Sequence, residues 1–174
     1  MKKYIFPIGM LVFVVLLAMG ITRYTQPSKP TEAQIIEGWK HIIFDPQGNS
    51  YYIKVNSIVN DKQDGDTLRF HATFQKLYSD KGREELIEAY KDQGVDISEM
   101  SKVDHEIDIY NFKDVDGDKF ITGATSKFYT ADDVEIPSIE MVVKFDEDSN
   151  LKPIPDKTII EHLYDYAYTR VKKD

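Results

Sequence analysis

Val103 to Asp132, VDHEIDIYNFKDVDGDKFITGATSKFYTAD, alternates apolar and polar positions on both sides of an Asp-Gly pair. The left arm runs through Ile107, Ile109 and Phe112 against Glu106, Asp108 and Asn111, with one step out of phase. The right arm runs through Phe120, Thr122, Ala124, Ser126 and Phe128. Period-2 patterning sends one set of each arm to a core and the other to water, so the isoleucines are expected inside and the carboxylates outside. Asp116-Gly117 between the arms is a hairpin signal, because glycine takes φ > 0 without steric cost. The stretch predicts a two-stranded antiparallel ribbon in the middle of a larger sheet.

The rest of the chain supplies the neighbours. Trp39 to Phe44 reads as a first strand, Asp45-Pro46-Gln47-Gly48-Asn49 as a turn, and Ser50 to Val55 as a second strand that closes a hairpin. Asn60 to Asp66 reads as a polar loop. Thr67 to Tyr78 follows with Leu68, Phe70, Ala72 and Phe74 on one face and Arg69, His71, Thr73 and Gln75 on the other, a sheet with one wet side. Gly82 to Gln93 switches to helical spacing through Leu86, Ile87 and Tyr90, with Gly94 at its end. Met141 to Phe145 gives a short strand, Asp146 to Asn150 a polar turn, and Leu151 to Pro155 an extended run held by its prolines. From Asp156 as cap, Lys157 to Val171 carries Ile160, Leu163, Tyr164, Ala167, Tyr168 and Val171 on one continuous apolar stripe, wide enough to lie across a sheet. The predicted class is α+β: an antiparallel sheet of about six strands, the C-terminal helix on one face, and an inserted helix.

The N-terminus follows a different pattern. Met1-Lys2-Lys3 precedes an uncharged run from Tyr4 to Thr22, most apolar from Leu11 to Ala18. It reads as a signal peptide, with Ala18 and Gly20 preceding a cut before Ile21, or as a membrane anchor just long enough to cross about 30 Å of hydrocarbon. Both readings put the remainder outside the cytoplasm, and cleavage stays open between them. Arg23 to Pro30 is a proline-bearing tether, with one or two helical turns expected from Thr31 to Glu37. The expected division is therefore 1–22 as signal or anchor, 23–36 as tether, and 37–174 as one exported domain.

Charge and composition narrow the chemistry. The chain has 174 residues and a formal charge of −8; from Thr31 onward 18 basic residues face 30 acidic, a balance of −12. A surface that acidic repels nucleic acid, so neither DNA nor RNA is an expected partner. Cysteine is absent, which removes thiol nucleophiles, thiolate metal sites, disulfides and lipid-bearing cysteine together. Asp114-Val115-Asp116-Gly117-Asp118 invites a calcium loop, but counting from Asp114 puts Lys119 and Thr125 at the positions that want Gly and Glu. Turn chemistry accounts for it better. His41, His71, His105 and His162 lack zinc spacing, although His41 and His71 lie on strands that could bring them together. No nucleophile elbow, phosphate loop or dinucleotide fingerprint occurs, so the chain is expected to be non-enzymatic and free of metal and cofactor.

The remaining concentration is aromatic. The chain has eleven tyrosines, gathered at Tyr51-Tyr52, at Tyr129 and at Tyr164-Tyr166-Tyr168. Alternate members must point away from a core, and exposed tyrosine supplies contact area at low entropy cost. Tyr51, Tyr52, Tyr129 and Tyr166 are the candidate partner-binding residues; half-buried packing positions explain them equally well.

With this order in hand, the chain resembles the surface-adhesin protein E family of bacterial envelope proteins. The likeness is carried by the Trp39-led first strand, the Tyr51-Tyr52-Ile53 second strand, the arms of the central hairpin, and Pro153-Ile154-Pro155-Asp156 before an amphipathic terminal helix. It spans about Trp39 to Val171. It implies an antiparallel sheet with the last helix packed on it, displayed at the cell envelope, and a host matrix or plasma protein as partner. The chain departs from the family in two ways, having no cysteine for the disulfide that commonly ties sheet to helix and none for the acyl anchor. The expectation is an exported, non-enzymatic envelope protein that binds another macromolecule, touching membrane through residues 4–22 if these are uncleaved. The alternative is a periplasmic module for small-ligand binding or envelope maintenance, which needs a pocket between the 82–93 helix and the sheet.

Overall fold

The computed structural model describes residues 38–91, 97–139, 141–144 and 151–172. The hydrophobic N-terminal run, the tether, the 31–37 turn, Gly94 and the 146–150 turn lie outside the described residues. Among the described residues no helix is long and apolar enough to cross a membrane.

Eight strands form one antiparallel sheet: β1 (Trp39–Phe44), β2 (Ser50–Lys54), β3 (Val59–Asp64), β4 (Thr67–Leu77), β5 (His105–Val115), β6 (Asp118–Tyr129), β7 (Met141–Lys144) and β8 (Lys152–Pro153). The main order is β1-β2-β4-β5-β6-β7, with β3 beside the first half of β4 and β8 beside the start of β6. Helix α1 (Asp80–Lys91) is inserted between β4 and β5, and α2 (Ile159–Val171) ends the described chain. The α+β class and the antiparallel sheet with a terminal helix are as the patterning predicts.

Strand β4 is the spine. Leu68, Phe70, Ala72 and Phe74 are buried while Arg69, His71, Thr73 and Gln75 are half-buried on the far side, as alternation requires. Their face meets Ile160, Leu163, Tyr164, Ala167 and Val171 of α2, together with Tyr51, Ile53 and Phe112. A second apolar cluster on the same face joins Tyr90 of α1 to Tyr78, Met100, Val103, Phe128, Ile136 and Ile139. Both helices therefore cover one face of the sheet. The hairpin between β5 and β6 turns at Asp116 (φ 54°) and Gly117 (φ 91°), the pair of positive values that the Asp-Gly signal calls for.

Four expectations are corrected. Residues 60–64 are not a loop: β3 runs from Val59 to Asp64 with every residue exposed, so its pairing with β4 leaves no apolar alternation to read, and the turn is confined to Gly65-Asp66. In β5 the faces are reversed, with Glu106 and Asp108 buried beside Phe112 and Ile109 turned outward. In β6 Thr122 is the extra residue of a bulge, because Asn111 pairs with Gly123 and Phe112 with Ile121. Past that point Ile121, not Phe120, points into the core, and Ala124, Ser126 and Phe128 keep the expected phase. The cap of α2 is Thr158, whose Oγ1 accepts from the Glu161 amide at 3.2 Å. Glu161 in turn accepts from the Lys157 amide at 2.6 Å, a reciprocal arrangement close to a capping box that displaces Asp156 from the role.

Candidate functional site

The reversed register of β5 puts polar groups between the two apolar clusters. Lys76 of β4 stands opposite Glu106, Phe74 opposite Asp108 and Ala72 opposite Tyr110; across the other edge Phe128 and Ser126 of β6 face Glu106 and Asp108. All of these share the helix-covered face. Glu106 is 7% exposed and Asp108 2%. The Lys76 ammonium lies 3.8 Å from one Glu106 oxygen, 4.4 Å over the Tyr78 ring and 5.7 Å over the Tyr51 ring. Tyr78 donates its hydroxyl to the other Glu106 oxygen. Asp108 accepts from the Ser126 hydroxyl on one oxygen and from the Tyr110 hydroxyl at 3.3 Å on the other.

Burial and then the neighbouring Glu106 push the Asp108 carboxyl well above the usual carboxylate range, against the pull of Ser126, Lys76 and Tyr110. Burial likewise raises the phenols of Tyr51, Tyr78 and Tyr110, so each stays a donor. The band ties β4, β5 and β6 together through side chains. Sequence reasoning missed it, although a signal was present: Phe112 is in phase with Tyr110, Asp108 and Glu106, and a single strand face must carry all four.

At the far end of the sheet a cleft of about 310 Å³ opens between the β3–β4 turn, the β5–β6 turn and the end of α2. Asp66, Asp114, Asp116, Tyr168 and Lys172 are among its walls. Asp114 is occupied: it accepts from the Tyr164 hydroxyl at 2.6 Å and from the Gly117 amide at 3.2 Å. Among the described residues no group of three or more His, Cys, Asp or Glu side chains is placed to hold a metal ion. His41 and His71 do not meet: His71 bonds Asp61 at 2.8 Å, whereas His41 packs on Phe44 and Tyr52, and burial holds its imidazole below the usual range.

The face opposite the helices is a different surface. Across it run His41–Tyr52–Gln75–Ile107–Lys127 in one register row and Thr73–Ile109–Thr125–Val142 in the next. Ile109 is 40% exposed and Val142 45%.

The four candidate tyrosines separate. Tyr51 is buried on the helix-covered face and donates to Asp45 at 3.2 Å. Tyr52 is half-buried in the open-face row. Tyr129 is half-buried and stacked on His105 at 5.2 Å. Tyr166 lies on α2 with the Arg170 guanidinium 3.6 Å over its ring and its own buried hydroxyl unbonded among the described residues. Tyr51 and Tyr166 touch the same apolar cluster, whereas Tyr52 is turned to the open face.

No family model matches the chain, and neither a curated protein nor a solved structure matches it. The likeness to the surface-adhesin protein E family rests on the residues quoted for it above.

Proposed function

We propose that this is an exported, non-enzymatic cell-envelope protein whose α+β domain binds a partner protein on the sheet face that the helices leave open. The single observation that carries the reading is the placement of both helices and both apolar clusters on one face, with Ile109 and Val142 standing out on the other. An antiparallel sheet tolerates one wet face, but that face is normally polar, and here two β-branched side chains, Ile109 and Val142, stand exposed on either side of Thr125 in one register row. The basic N-terminus and apolar run from Tyr4 to Thr22 support export, and the protein E likeness suggests a host matrix or another envelope protein as partner.

The small-ligand alternative calls for a pocket beneath α1. Tyr78, Tyr90, Met100 and Phe128 fill that space and are all buried, which counts against it.

Binding of the purified domain to immobilised matrix proteins and to envelope proteins tests the proposal. Binding at micromolar protein is expected, and Ile109→Lys is expected to abolish it while leaving the melting temperature unchanged. Uniform absence of binding, or binding indifferent to Ile109→Lys and Val142→Lys, overturns it.

A further inference from the structure

We propose that Asp108 carries a buried proton in the native protein and that this proton keeps α1 seated over the sheet. Charge balance in the band carries the inference. Glu106 and Asp108 project from β5 into the same interior, where Lys76 is the ammonium that meets a carboxylate, and its partner is Glu106. Asp108 accepts only from neutral donors, the hydroxyls of Ser126 and Tyr110. The other titratable groups acting on it are Tyr110 from β5, Tyr78 just after β4 and Tyr90 from α1, and none of them is a cation. A second ionised carboxylate there would have to share Lys76, already paired with Glu106, and a charge so thinly compensated away from water is among the costliest states a core can hold.

Ionising Asp108 therefore requires water, and the covers of the band differ in how readily they lift. Helix α2 buries six residues, Ile159, Ile160, Leu163, Tyr164, Ala167 and Val171; α1 buries Gly82 and Tyr90. Tyr90 reaches the band by resting edge-on against Phe128, whose cross-strand partner is Glu106. The lightly held α1 is the part that opens.

The direction with pH follows from linkage. Asp108 in the fold keeps its proton at pH values where an unfolded or uncovered aspartate has lost it, so the closed state binds more protons. Its contribution is fully present below the unfolded pKa of about 3.9 and is lost as pH rises through the folded value.

The test is amide exchange of the full chain from pH 5 to 9, normalised for the chemical rate, with peptides from 80–91 compared against β4. Wild type is expected to show α1 opening that rises with pH by up to about tenfold per unit while β4 stays protected. Asp108→Asn is expected to hold α1 protection flat across the range. A pH response unchanged in Asp108→Asn, or α1 exchange that only tracks β4, overturns the proposal. Should that variant fail to fold, difference infrared spectroscopy on wild type decides. A protonated-carboxyl band at neutral pH supports the proposal, and its absence overturns it.

Discussion

Gly82→Ala is expected to weaken the protein although alanine is the better helix former. A Cβ at Gly82 falls 1.9 Å from Oδ1 of Asn49 and 2.5 Å from its Cγ and Nδ2, so the amide must leave its place. Asn49 is 3% exposed, and its amide joins the β1–β2 turn to the start of α1. Its Oδ1 accepts from the Ser79 amide at 2.9 Å just before α1, and its Nδ2 donates to Asp45 at 2.8 Å in the β1–β2 turn. Ser79 fastens the same junction by capping the Gly82 amide at 3.0 Å and donating to the Gln47 carbonyl at 2.7 Å. Displacing Asn49 loses two hydrogen bonds of about 1 kcal/mol each and leaves buried partners unpaired. Alanine returns at most about 1 kcal/mol of helix propensity. The net loss is about 1–2 kcal/mol in Asn49 background, read by urea unfolding. In an Asn49→Ala background the obstacle is gone, and the same Gly82→Ala change is expected to be neutral or stabilising. Equal effects in both backgrounds refute the reasoning.

Tyr164→Phe removes the hydroxyl that meets the buried Asp114 carboxylate at 2.6 Å, and a loss of about 1–3 kcal/mol is expected in urea unfolding. Thr158→Ala removes the α2 cap and is expected to cost about 1 kcal/mol, read as a lower melting temperature. Glu161, whose carboxyl is held below the usual range by the Lys119 ammonium at 2.8 Å, lends stability that is present above the unfolded carboxylate pKa and lost as pH falls through the folded value. Lys119→Met is expected to flatten that acid limb in melts taken from pH 6 to 3.

How far the sequence could be read depended on where each position's partners lie. In β4 the run from Leu68 to Phe74 packs directly on α2, so hydrophobicity alone gives its face. The Asp116-Gly117 turn is likewise local, a matter of backbone sterics. Strand β3 has no such signal, since Val59 to Asp64 touches water on both faces and owes its form to backbone pairing with β4. Alternation alone sends the carboxylates of β5 to water because their compensation is distant: Lys76 comes from β4, Tyr78 from just after it and Ser126 from β6. Alternation at Tyr51-Tyr52 required that one ring turn inward. Only the pairing of Tyr51 with Lys76 and of Ile53 with Phe74 decides which.

The two-faced sheet is the claim on which the open binding surface and the buried proton both rest, and the absence of cysteine from the chain allows a direct measurement of it. Single Ile109→Cys and Asp108→Cys variants are treated with a water-soluble thiol reagent under native conditions. Rapid labelling is expected at position 109, and labelling at 108 only on the timescale of opening or unfolding. Rapid labelling at 108 with protection at 109 would contradict it, returning the isoleucines to the core and the carboxylates to water.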